Sequence, residues 1–307
     1  MNKSYNEMFY SANLENTKRS LGDLLKIQRL LLKFLINFLD SASGVFQTNN
    51  FPEFLKLIAT IRLNIESVNH LLPLLNRDYR FKTSINLIYR SMVGDLITLN
   101  YLKGFIDETD VDQISLGNEL NIFNKEYLLS SYEGLLAENE YNINNYKLNN
   151  EVVIDEIKDI ELRNIKSQFL DENGKWIFNS KLRSSTSPDI LVKIKNAGIK
   201  DTNKGFISEN EKIKFLKEIN SDNHLQLKFL FKYYSQFQHF SPSTFDLINS
   251  DLDYTLNTYK TCIYLIIRFL KDSLELFNVK DFNHVVDEFL ATVNIYNEIY
   301  QDKSSSK

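Results

Sequence analysis

The sequence predicts an all-α protein, an irregular multi-helix bundle with long antiparallel helices. Two observations carry that expectation. Apolar residues recur at steps of three and four over long stretches, the spacing of one helical face. Only 9 Gly and 4 Pro punctuate 307 residues, too few for the turns that a sandwich, a barrel or a glycine-rich nucleotide fold requires. A hydrophobic content of 43% supplies apolar surface for a sizeable core and argues against an unfolded chain.

Over residues 17–40 the apolar positions Leu21, Leu24, Leu25, Leu31, Leu32, Leu35, Phe38 and Leu39 mark a long amphipathic helix. A break at Ser41-Ala-Ser-Gly44 and the pair Phe51-Pro52 introduce a second helix, with Leu55, Ile58, Ile61, Leu63, Ile65 and Val68 as its apolar positions and Pro73 as its limit. Residues 1–75 therefore read as an N-terminal helical hairpin packed on the core. A second, larger domain covers 76–300. Its first helix runs over 78–105, burying Ile85, Ile88, Met92, Val93, Leu96, Leu99 and Leu102; Gly94 within it reads as a point of close helix packing.

Two further helices, 111–138 and 151–171, are expected on either side of an Asn-rich loop at 141–146. A loop-rich insertion follows near 173–205 and contains the single Trp176. Within it, Ser187 or Ser185 is expected to cap a short helix over 189–197, with Pro188 in the first turn and Gly198 at the end. Helical periodicity returns over 209–219, 222–239, 250–277 and 281–300, and the polar tail 301–307 reads as disordered. No repeat of fixed period is present, which argues against a solenoid.

The net charge of −4 argues against a dedicated polyanion-coating protein. A local basic stretch nevertheless spans 175–204, where Lys175, Lys181, Arg183, Lys193, Lys195, Lys200 and Lys204 outnumber Asp189 and Asp201; it reads as a solvated surface or a docking surface. Cys262 sits in an apolar run and reads as a buried, inert thiol. The polar N-terminal residues lack the apolar segment of a secretory signal, which predicts a cytoplasmic protein. The two most apolar stretches, 30–39 and 264–270, are interrupted by Lys33 and Arg268, so no membrane span is expected.

There is no phosphate-binding loop, no paired-cysteine metal pattern and no nucleophile elbow. Glu66 with His70, and His284 with Glu288, each stand one helical turn apart and would form a metal site if their helices met; helix-surface placement is the simpler reading, and neither a metal nor a cofactor is expected. The most informative segment is 228–244, KFLFKYYSQFQHFSPST. On one helix, Lys232, Ser235 and His239 fall at spacings of three and four and line one face. Ser241-Pro242 ends that helix, leaving His239 where the helix dipole favours an imidazolium.

Tyr234, Ser235, His239 and Ser241 in this segment resemble the helix-end pattern of HEPN-like bacterial proteins. Arg90 and Asp95, in YRSMVGD, resemble the Arg and acidic residue that an earlier helix of those proteins carries. The resemblance covers residues 78–277 and implies a HEPN-like fold in the central and C-terminal part. It also implies a metal-independent ribonuclease or toxin-type effector in bacterial defence. RNA would be the substrate, a second copy of the chain would complete the site as a homodimer, and an antitoxin or defence-system protein would be the partner.

In that reading His239 transfers a proton, a cation stabilises the phosphate, Ser235 assists, and Tyr233, Tyr234, Ser241 and Asp95 contact the substrate. The nuclease members carry an Arg ahead of the His, and here that Arg is absent. Lys232 takes its place without the planar guanidinium fork, which Arg90 would restore from a neighbouring helix if the two lie close. A different reading stands beside it: a non-catalytic binding or regulatory module in which His239 caps its helix, Ser235 bonds the backbone, and Tyr233, Tyr234 and Phe237 belong to the core.

Overall fold

The computed structural model describes residues 20–40, 52–76, 78, 81–106, 113–146, 156–238 and 252–276. They are mostly helical, with an isolated bridge between Leu170 and Trp176 and no strand among the described residues. Residues 20–40 form α1. Next come α2 (Pro52–Leu71), a 3-10 turn (Leu72–Asn76), α3 (Phe81–Lys103), α4 (Ile114–Tyr146) and α5 (Glu156–Phe169). The short α6 (Asn179–Leu182) and α7 (Pro188–Asn196) lead to α8 (Glu209–Glu218), α9 (His224–Ser235) and α10 (Leu252–Leu276). The all-α, multi-helix class expected from the sequence is the one observed. The expected helix 281–300 and tail 301–307 lie outside the described residues.

The chain divides into two compact units, one made of Met1–Leu99 with Asp222–Lys307, the other of Asn100–Ser221. The loop-rich stretch 173–205 lies within the second.

In the first unit, α1 buries Leu21, Leu24, Leu31, Leu35 and Phe38 at helical spacing, and Gln28 lies on the same buried stripe. Helix α2 starts at Pro52, whose missing N–H belongs to a donor that a helix start leaves unbonded anyway. It buries Phe54, Ile58, Ile61, Ile65 and Val68, whereas Leu63, expected inside, is 54% exposed. From α3 come Ile85, Tyr89, Met92, Val93 and Leu96, and from α10 Leu256, Tyr259, Ile263, Ile266 and Leu270. Cys262 is buried among them, and burial pushes its thiol pKa up, in keeping with an inert side chain.

In the second unit, α4 runs through the Asn-rich stretch at 141–146 that reads as a loop from its composition. Asn lowers helix propensity only mildly, neither Gly nor Pro stops the chain there, and Asn145 Nδ2 donates back to Tyr141 O at 2.9 Å within the helix. Helix α7 begins after Ser187, but that hydroxyl forms no cap bond, and Ser185 Oγ instead accepts from Asn118 Nδ2 at 3.0 Å. Gly198 ends α7 with φ +68°; its N–H donates to Lys195 O and that of Ile199 to Ile194 O, the paired bonds that close a helix through a left-handed residue. Helix α8 opens on a reciprocal cap between Ser208 and Glu211.

The basic stretch turns partly inward. Arg183 is buried and forks onto Glu119, with Nε to Oε2 and Nη2 to Oε1 both at 2.8 Å, while Tyr101 Oη donates to Glu119 Oε1 at 2.7 Å. Burial pulls the Arg183 pKa down, but the hydrogen bonds and charge of Glu119 outweigh it and hold it above its ordinary range. Lys125 of α4 is also buried and donates to Ile177 O and Asn179 Oδ1, each at 2.7 Å. Lys175, Lys181, Lys195, Lys200 and Lys204 remain exposed.

Close approach occurs at a glycine that the periodicity does not single out. Gly205 has φ +76°, and a Cβ there would lie 2.8 Å from Glu126 N on the backbone of α4. At Gly94, by contrast, a Cβ would meet only Arg90 Nη1 at 3.5 Å, so it marks no close approach of another helix.

Gly205→Ala is expected to cost about 2–4 kcal/mol through strain and overpacking combined. Gly134→Ala, where a Cβ meets nothing within 4 Å on an exposed stretch of α4, is expected to be neutral or to stabilise by up to about 1 kcal/mol. Urea unfolding of both variants checks the contrast.

Burial lowers the Lys125 pKa from the usual lysine range to about 8, although the charge of Asp201 opposes the shift. The unfolded chain keeps that proton to higher pH, so the cost of burying the charge is complete below about pH 8 and is relieved as pH rises toward the ordinary lysine value. Stability of the wild type relative to Lys125→Met is therefore expected to increase from about pH 8 to about pH 9.5, measured by denaturant unfolding at each pH.

Candidate functional site

The site begins with two adjacent pairs of residues on α3 and α9. Tyr89 and Tyr234 both point into the first unit's core and stack at 5.6 Å between ring centroids, and Tyr259 of α10 stacks on Tyr89 at 4.2 Å with nearly parallel rings. Their hydroxyls are engaged: Gln28 Nε2 donates to Tyr89 Oη, Tyr259 Oη donates to Asn86 Oδ1 at 2.8 Å, and Tyr234 Oη donates to Thr258 Oγ1 at 3.2 Å. Burial first, and the neighbouring thiol and phenols after it, hold Tyr89 and Tyr234 well above the usual phenol range, so both stay protonated.

The residues that come directly after these tyrosines in the chain meet beside the stack. Arg90 lays its guanidinium over the Phe231 ring, 3.9 Å from the centroid, and its Nε donates to Ser235 Oγ at 3.0 Å. Ser235 Oγ in turn donates to Phe231 O at 2.6 Å. Phe231 and Ser235 are one turn apart on α9 and form a single seat for the guanidinium. Arg90 and Ser235 are both half-buried. The fork that the sequence placed conditionally on a neighbouring helix thus lies against the motif helix.

The remaining expected site residues are distributed unevenly. Lys232 is exposed on α9. Asp95 is half-buried on α3, more than a turn beyond Arg90. Tyr234 has no surface with which to meet a substrate, and Tyr233 is buried with its hydroxyl 3.2 Å from Thr255 Oγ1, so both serve the core. His239 and Ser241 lie outside the described residues.

The helix itself ends sooner than its periodicity predicts. Regular α9 stops at Ser235, and the N–H groups of Gln236, Phe237 and Gln238 donate to the carbonyls of Tyr233, Tyr234 and Ser235, three residues back. That tightening changes the alignment of side chains: with three residues per turn, Gln238 comes to lie over Ser235.

Gln28 and Asn86 escape a reading based on apolar periodicity. Both are polar residues at buried positions of amphipathic helices, and that mismatch with their apolar neighbours is the signal that marks them. Among the described residues no group of His, Cys, Asp or Glu is placed to hold a metal ion; Glu66 pairs with Arg62 at 3.2 Å, while His284 and Glu288 lie outside the described residues. No helix among the described residues is long and apolar enough to cross a membrane.

Replacing Arg90 by Met is expected to lower stability by about 1–2 kcal/mol through loss of the cation–ring contact and the Ser235 bond. Ser235→Ala is expected to cost less, about 0.5–1 kcal/mol, and denaturant melts of the two variants check the order.

No family model matches the chain, and no curated protein or solved structure matches it.

Proposed function

We propose that this chain is a HEPN-like, metal-independent ribonuclease, acting in the cytoplasm as a toxin-type effector of bacterial defence. The observation that supports the reading is the seat of Arg90 on α9, with its Nε bonded to Ser235 of the motif helix. A planar guanidinium held in place by a ring and a hydroxyl is suited to stabilising charge on a phosphate. In this mechanism Arg90 supplies the cation missing from the motif helix, Ser235 orients it, Lys232 adds positive charge from the same helix, and His239 moves the proton at the ribose hydroxyl or the leaving oxygen. A second copy of the chain would complete the site, and an antitoxin or defence-system protein would restrain it.

Purified protein is expected to cleave RNA in the presence of EDTA. His239→Ala is expected to reduce cleavage by about 100-fold or more. Arg90→Lys is expected to reduce it as well, because an ammonium cannot reproduce the fork. Cleavage at the wild-type rate by His239→Ala would refute the assigned role.

A second reading is favoured by a separate observation. Tyr233, Tyr234 and Phe237 are buried and the Ser235 hydroxyl is bonded to Phe231 O, as a non-catalytic binding or regulatory module would have them. Absence of cleavage by the wild type, with RNA still bound, would select that reading.

A further inference from the structure

We infer that the exposed face of α9 is a binding surface for single-stranded nucleic acid, with Phe229 and Tyr254 as stacking platforms for bases and Lys228 and Lys232 as phosphate contacts. At 3.6 residues per turn, Lys228, Lys232, Leu225 and Phe229 succeed one another around the same side of the helix, and all four are exposed. One border of that side is Phe231 and Ser235, where Arg90 is seated. The other border is aromatic. Phe229 stacks on Tyr233 at 6.3 Å with the planes 24° apart, and Tyr254 of α10 meets the same Tyr233 edge-on at 5.7 Å. Tyr233 is buried, but Phe229 is 46% and Tyr254 47% exposed, so each presents ring surface while its position is held from behind.

Apolar surface alone would not identify an occupant; the charge does. Helix α9 contains Lys228 and Lys232 and no acidic residue, although the whole chain carries a net −4. Among the described residues, the acids nearest to α9 in sequence and on α10 have cations of their own nearby. Asp222, before the helix, is 2.9 Å from Arg268 Nη2, and half-buried Asp253, next to Tyr254, acts electrostatically on Lys260. A cationic helix face edged by half-exposed rings fits a polyanion whose bases are unpaired, because stacking requires an open base face that a duplex keeps covered. RNA as the polymer rests on the function proposed above; the surface chemistry itself would accept any single strand.

The test is fluorescence anisotropy of a labelled oligouridine with the full chain carrying His239→Ala, so that cleavage does not consume the probe. Phe229→Ala and Tyr254→Ala are each expected to weaken binding about tenfold, and Phe229→Tyr, which keeps a ring, to leave it near the starting value. Lys228→Gln with Lys232→Gln is expected to lower the slope of log affinity against log salt by about 1.4, the release of counterions from two single-strand phosphates. Unchanged affinity in both alanine variants would overturn the inference. So would a duplex bound as tightly as the single strand, or no oligonucleotide binding at all, which would leave the face to a protein partner. Binding in this background does not depend on whether the wild type cleaves, so failure of the ribonuclease reading and failure of this one remain distinguishable.

Discussion

The stack of Tyr89 on Tyr234 sets the register of α3 against α9 in the first unit. Two phenol rings buried 5.6 Å apart, with a third from Tyr259, leave these helices little freedom to slide, since a shift of one residue would replace a ring by a neighbour of different shape. Because Arg90 comes directly after Tyr89 and Ser235 directly after Tyr234, the register that pairs the rings also brings the guanidinium to the hydroxyl at 3.0 Å. The core contact and the surface contact are consequences of one alignment. Gln28 and Asn86 give the phenols of Tyr89 and Tyr259 partners, while Gln28 Oε1 and Asn86 Nδ2 are buried with no hydrogen-bond partner among the described residues.

The second unit is organised around charge. Glu119 accepts both prongs of Arg183 and the hydroxyl of Tyr101, so a carboxylate with no exposed surface is satisfied on each oxygen. An ion pair of this kind contributes less net stability than its Coulomb attraction suggests, because both charges leave water. Its structural effect lies in direction: it ties the segment carrying Arg183 to α4, and Lys125 ties the backbone at Ile177 and the side chain of Asn179 to the same helix. Irregular backbone that would otherwise be held weakly is thereby given a fixed course.

Periodicity made most helices legible, and α8 and α10 begin and end close to where the apolar pattern does. It misjudged α4, where Asn was weighted as a loop former although helix continuation costs little there. Leu63 shows another limit, since an apolar residue can fall within a helix yet face outward. At the candidate site, Ser235 and Lys232 were visible as members of one helix. The meeting of Arg90 with Ser235 was not, because the two are separated by 145 positions and nothing local encodes their contact. Composition also overstated the surface charge of the stretch 175–204, where Arg183 is consumed as an internal counter-ion.

The placement of chromophores separates the units in a useful way. Trp176 is the only tryptophan, it is half-buried, and it belongs to the second unit, while the parallel tyrosine stack belongs to the first. Excitation at the red edge of protein absorbance therefore addresses Asn100–Ser221 alone, and unfolding of that unit has an optical signature that the first unit does not contribute to.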